Sequence, residues 1–118
     1  LSYQSPPSTP IRHPILGVVI KHHSFGTVAS VNMRMTGFHP SPSSTSGTIT
    51  CSLPELPLLQ GSYSIDLWLG DGPVDLDLLS DYLHFSIDEA DVYGSGQLPF
   101  ANHGAIFLQP KWSFSTLP

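Results

Sequence analysis

The sequence predicts an all-β chain, folded as a β-sandwich of immunoglobulin-like or jelly-roll kind. Three observations carry this prediction. Apolar and polar residues alternate with a period of two in most segments, the mark of half-buried strands. Twelve prolines, ten glycines and many Ser and Thr break the chain into frequent turns. Little of it carries helical spacing, so about six to eight short strands are expected. With 118 residues, the whole chain is expected to form a single domain around one core.

The register is clearest between Leu53 and Leu69. Pro54, Pro57 and Gly61 hold the first part in an extended turn, and a strand follows. Tyr63, Ile65, Leu67 and Leu69 fall on its apolar side, with Ser62, Ser64, Asp66 and Trp68 opposite. Leu58-x-x-Gly61-x-Tyr63 has the form of a tyrosine corner, which predicts that the Tyr63 hydroxyl turns back to the preceding backbone. Trp68 among Ser and Asp is the oddity, a large aromatic that needs either a cover or a ligand.

The remaining elements follow in order. Leu1–Gln4 reads as the end of a strand, and the prolines of Ser5–Pro14 make a loop. Ile15–His22 is a strand with Leu16, Val18 and Ile20 on one side and Gly17, Val19 and Lys21 on the other, covered on both faces. After a turn at His23–Gly26, Thr27–Met35 is expected as a strand. Ala29, Val31, Met33 and Met35 face inward there, and Ser30, Asn32 and Arg34 face outward. Thr36–Gly47 is a low-complexity loop. Gly47–Leu53 is expected as a strand with Ile49, Cys51 and Leu53 inward, which makes Cys51, the single cysteine, a buried inert thiol.

Gly70-Asp71-Gly72-Pro73 is a strong turn signal. Val74–Asp81 is compatible with a helical turn or an extended connection. Tyr82–Ile87 reads as a strand, Leu83, Phe85 and Ile87 inward, Tyr82, His84 and Ser86 outward. Asp88–Gly104 is a long loop. Gly104–Leu108 and Lys111–Phe114 then form a final strand or pair around Pro110.

Composition excludes several functions. Four Lys and Arg against nine Asp and Glu give a net charge of −5, which argues against binding nucleic acid or an anionic membrane surface. A lone cysteine allows no internal disulfide. No signal-peptide pattern or membrane-length apolar run is present. The chain opens without Met, in what reads as mid-strand, so it is expected to be a fragment or excised domain of a longer protein.

Catalytic and metal patterns are missing. The six histidines include His22 and His23, which leave opposite faces of a strand. His13, His39, His84 and His103 lie in separate segments without ligand spacing, so no metal or other cofactor is expected. Asp75-x-Asp77-x-x-x-Asp81 lacks the glycine and terminal Glu of a calcium loop. Asp88-Glu89-x-Asp91 reads as an acidic loop, no nucleophile elbow occurs, and Gly94-Ser95-Gly96 is too short for a phosphate loop. The expectation is no enzyme. What remains is a polar face bearing aromatics: Trp68 beside Asp66, Tyr82 beside His84, and Arg34 beside Asn32. Sugar C–H faces pack on aromatic planes, and their hydroxyls bond to Asp, Asn, Arg and His, so these six are the candidate carbohydrate-binding residues. Trp112 and Phe114, with Ile106 and Leu108, are expected in the core or a subunit contact.

Several short motifs in order carry a family resemblance. They are Pro14-Ile-Leu-Gly-Val-Val-Ile-Lys21, Phe25-Gly26, the stretch Leu53–Leu69, Leu83-His-Phe-Ser-Ile-Asp88, Asp91-Val-Tyr-Gly-Ser-Gly96, and Gly104-Ala-Ile-Phe-Leu-Gln-Pro-Lys-Trp112. Together, over residues 1–114, the chain resembles the C-terminal carbohydrate-binding domain of the ATPase subunit of O-antigen polysaccharide ABC transporters (the Wzt-type C-terminal domain). The resemblance implies a non-catalytic β-sandwich that binds lipopolysaccharide O-antigen glycan in the cytoplasm, at the inner membrane, for polysaccharide transport. The ATPase and membrane subunits would be its partners in the full-length context. It also implies a homodimer by exchange of C-terminal strands, with Ile106, Leu108, Trp112 and Phe114 in the exchanged segment. The first strands of the family domain and every ATPase motif are missing, so no ATP hydrolysis is expected. A purely structural dimerisation or interaction domain is the alternative.

Overall fold

The computed structural model describes residues 1–5, 10–38 and 46–117. The loop around His39 and much of the Ser5–Pro14 loop lie outside them. The fold is mostly β and consists of two antiparallel sheets, in agreement with the all-β sandwich read from the sequence. Its strands are β1 (Ser2–Gln4), β2 (Pro14–His22), β3 (Gly26–Asn32), β4 (Ser46–Thr48), β5 (Gly61–Asp71) and β6 (Val74–Ile87). A single helical turn, α1 (Met33–Thr36), follows β3, and a 3₁₀ turn spans Ala101–His103. The larger sheet runs β3-β2-β5-β6, and the smaller pairs β1 with β4.

The small sheet covers one end of the larger sheet's apolar face. Leu1 and Ile49 pack against a cluster of Ile15, Leu16, Val18, Met33 and Leu67. The other end of that face is covered by irregular chain: Leu58 and Ala105 close over Ile20 and Tyr63. Tyr63, 2% exposed, is the anchor. Its hydroxyl donates to the carbonyl of Leu59 at 2.6 Å, the tyrosine corner that the Leu58–Tyr63 spacing predicts. The Ala105 carbonyl lies 3.2 Å from the same hydroxyl, and the ring stacks on Phe85 at 5.2 Å. Burial pushes the phenol's pKa up. One side chain therefore ties the entry of β5 to both segments that cap the core.

Strand β6 settles the open question at Val74–Asp81. These residues are extended and pair with β5 through a hairpin in which Asp71 faces Val74. Gly72, at φ +57°, supplies the positive φ of the first loop position, and Pro73 fixes a negative φ at the second, the requirement of a type II′ hairpin turn. The ladder then breaks between Ile65 and Leu67, where β6 bulges outward around Asp81. Asp81 sits at φ +52°, a conformation that Asp tolerates better than most residues. Its backbone N–H donates to the Asp66 carboxylate at 2.8 Å, and Lys21 bridges Asp66 and Asp81 at 3.0 Å each.

Three strand expectations are corrected. The segment Thr27–Met35 leaves the sheet at Asn32, because the Asn32 side chain accepts the Met35 N–H at 2.7 Å and caps a helical turn. Gly37, at φ +73°, closes that turn in the left-handed conformation. Met33 stays buried, but Met35 is swung out to 77% exposure. A bulge between Ile20 and Lys21 also turns Val28 toward the core and leaves Ala29 exposed. The segment Gly47–Leu53 is a strand only to Thr48; Ile49 still pairs with Leu1 through both backbone groups, and Thr50–Leu53 are outside any strand. Cys51 is accordingly exposed, not buried. Finally, no strand forms over Gly104–Phe114. Ile106 bridges Leu58, and Phe107 N–H donates to Pro57, but residues 108–117 pair with nothing regular.

Candidate functional site

Residues directly opposite in an antiparallel ladder share a face. The register therefore decides which predicted residues come together. Asn32 faces Gly17, Gly17 faces Trp68, and Trp68 faces Leu78, making one rung on the outer face of the large sheet. Val19 and Asp66 form the next rung, and Lys21, Ser64 and His84 the one after. Asn32, Asp66, Trp68 and His84 thus share one face, which the alternation within each strand leaves open. Tyr82 does not. Carried by the bulge, it lines an apolar cavity of about 260 Å³ with Leu16, Val18, Ile65 and Leu67 on the opposite face.

Trp68 owes its position to Gly17. A Cβ at residue 17 would overlap the indole, so the absent side chain is what lets the ring lie over β2. The far edge of the ring reaches Gly70, where its Cζ3 would stand 3.5 Å from a Cβ. Arg34 leans over the ring from α1, its guanidinium 5.6 Å from the ring centroid. At a partly exposed site such a contact contributes about 0.5–1 kcal/mol. The Arg34 Nη2 also donates to the Gly72 carbonyl at 2.6 Å, which ties α1 to the β5–β6 hairpin. Trp68 is half-buried as a result, packed beneath by backbone and flanked above by a cation.

Beside the ring opens a groove of about 480 Å³, lined by Arg34, Trp68, Asp75, Leu76, Asp77 and Leu78. It contains an aromatic plane, a guanidinium donor and, on the Trp68 face opposite Gly70, the Asp75 carboxylate, the kinds of group that bind a polyhydroxylated ring. The other predicted residues have different work. The Asn32 carbonyl oxygen is used by the helix cap. Asp66 is engaged by Asp81 N–H and by Lys21, and both hold its carboxyl below the ordinary carboxylate value. His84 lies two rungs from Trp68, about 13 Å along the strand at a strand's rise.

Sequence reasoning missed Gly17, Lys21, Asp75, Asp77 and Leu78. Gly17 carried a signal, because a glycine inside an apolar strand often marks a close approach. The β6 residues carried none while their segment read equally as helix or extended chain. Among the described residues, no three His, Cys, Asp or Glu side chains converge as a metal site.

The dimer residues form a separate region. Leu108, Trp112 and Phe114 are 73%, 88% and 90% exposed, and Ile106 is held only at the Leu58 bridge. Among the described residues they join neither core cluster, contrary to one of the two expectations for them. Comparison with known protein families and with curated proteins finds no match for this chain.

Proposed function

We propose that this chain is a non-catalytic carbohydrate-binding module that recognises O-antigen polysaccharide for export by an ABC transporter. The observation that carries the carbohydrate part is the Trp68 groove, with the indole seated on Gly17 and Arg34 and Asp75 beside it. Apolar sugar faces would stack beside or on the indole, and hydroxyls would bond to the guanidinium and the Asp75 carboxylate. The transporter context, a cytoplasmic location at the inner membrane and association with the ATPase and membrane subunits rest on the family resemblance of the sequence.

A second reading, a dimerisation or interaction domain, is favoured by a different observation. Leu108, Trp112, Phe114 and Leu117 stand exposed on a chain end without a strand partner. Exchange of that segment between two copies, through Ile106, Leu108, Trp112 and Phe114, would cover them. The two readings are compatible, and Trp68→Ala separates them. The binding module loses affinity for O-polysaccharide by calorimetry while its sedimentation and circular dichroism stay unchanged. A Trp68→Ala variant that binds as the parent does would move the site away from Trp68, and a folded parent chain that binds no O-polysaccharide would leave only the interaction reading.

A further inference from the structure

We infer that Asn32 is a positioning residue of the Trp68 groove, capping α1 so that Arg34 is held over the indole. This rests on the carbohydrate reading above and adds to it the device that presents the guanidinium to the ligand.

Arg34 sits on a helical turn of four residues, Met33–Thr36. A turn this short does not persist by its own hydrogen bonds, so the groups that hold its ends decide whether it forms. At the start, Asn32 Oδ1 accepts the Met35 N–H at 2.7 Å, and the Thr36 hydroxyl donates to the Asn32 carbonyl at 3.0 Å. At the end, Gly37 at φ +73° lets the Phe38 N–H reach the Met33 carbonyl at 3.1 Å. Beneath, Met33 is buried in the main cluster, and its sulfur accepts the Leu16 N–H at 3.2 Å. Of these supports, the Asn32 cap can be removed without touching the core.

The cap also fixes where Arg34 stands. Asn32 is the last residue of β3 and faces Gly17, in the rung that carries Trp68. A helical residue advances about 1.5 Å and a strand residue about 3.3 Å, so two extended residues would carry Arg34 about 3–4 Å further along. Its guanidinium lies 5.6 Å from the ring centroid, close to the limit of about 6 Å for a cation–π contact. The same stance brings Nη2 within 2.6 Å of the Gly72 carbonyl. Loss of the turn therefore withdraws the guanidinium from the groove. Asn32 has little left to offer a ligand directly. Its Oδ1 is spent on Met35, and among the described residues it is not part of the wall that Arg34, Trp68, Asp75 and Leu78 form.

The test titrates the chain with an O-polysaccharide released from lipopolysaccharide by mild acid, chosen from a panel for binding to the parent. Asn32→Ala should weaken binding about two- to tenfold, with circular dichroism unchanged. Asn32→Ser keeps a capping oxygen but lacks the amide, and should bind within about twofold of the parent. In an Arg34→Ala background, Asn32→Ala should add nothing, because the residue it positions is gone. Without ligand, the Trp68 indole N–H resonance of Asn32→Ala should move toward its place in Arg34→Ala and return in Asn32→Ser. Asn32→Ala binding as the parent does, or Asn32→Ser binding as weakly as Asn32→Ala, overturns the inference. So does an Asn32→Ala loss undiminished in the Arg34→Ala background. Each of these leaves the carbohydrate reading standing. If no O-polysaccharide binds the folded parent, the carbohydrate reading fails and this role of Asn32 fails with it.

Discussion

Two segments of this chain carry the same kind of apolar alternation and end in opposite states. In β5, Tyr63 and Leu67 are 2% and 8% exposed, between strands on both sides. In the C-terminal segment, Leu108, Trp112 and Phe114 are 73% or more exposed. The difference lies in the partners. Gly61–Asp71 pairs along its length with β2 and β6, whereas Gly104–Phe107 makes one isolated bridge, Leu58 to Ile106, and two backbone hydrogen bonds to Pro57 and Leu59, and residues 108–117 join no strand ladder among the described residues. A period of two shows which residues can share a face, but pairing and a covering layer decide whether that face is buried.

The comparison breaks most sharply by truncation. Leu67→Ala removes a side chain from the main cluster and should lower stability by about 2–5 kcal/mol in denaturant titration. Leu108→Ala should change it by less than about 0.5 kcal/mol at concentrations where the chain is monomeric. Equal losses from the two would mean that the C-terminal segment packs as firmly as β5.

The next effect joins fold to site. Gly17→Val places a side chain where the Trp68 indole lies, forcing the ring out or the strands apart. Overpacking of this kind should cost about 1–3 kcal/mol, and near-ultraviolet circular dichroism should report the displaced indole. Unchanged spectra and stability would show that Trp68 does not rest on residue 17.

The smallest effect is acid dependence of the bulge. The Asp66 carboxyl is held below its ordinary value of 3.8 by the Asp81 N–H and then by Lys21. Asp81 is held below the same value chiefly by Lys21. A depressed folded pKa means the contribution is present above the unfolded value and is lost as pH falls through the folded one. Stability should therefore be flat near neutrality and drop slightly below about pH 4, and Lys21→Met should flatten that drop. These groups are exposed, so the amplitude is small and shrinks with salt.

The sequence made the centre of the fold readable and its margins less so. Tyr63 and its corner, the alternation of β2 and β5, and the turn at Gly72 follow from local chemistry that the tertiary structure respects. Met35 and Cys51 were misplaced for a shared reason. Alternation in the sequence continues past Asn32, where a local cap ends one strand, and past Thr48, where the other ends. The cap was legible in Asn32 and Gly37, since Asn at a helix start and Gly just past its end are strong signals. Tyr82 changed face because a bulge shifts parity, and the bulge depends on contacts to Lys21 and Asp66 from other strands. On the site, parity set Trp68, Asp66, Asn32 and His84 on the outer side of their own strands, and only the register joins them on one face. It could not show that Arg34, leaving the sheet on α1, would come to lie over the indole.

Trp68 and Trp112, the two tryptophans, stand in the two compared regions and give the most direct test. Their indole N–H resonances can be followed together in a titration with O-polysaccharide. The account predicts a saturable shift at Trp68, with Trp112 following only changes in self-association. A Trp68 resonance that stays fixed while the polysaccharide binds, or while it shows no binding at all, would contradict it.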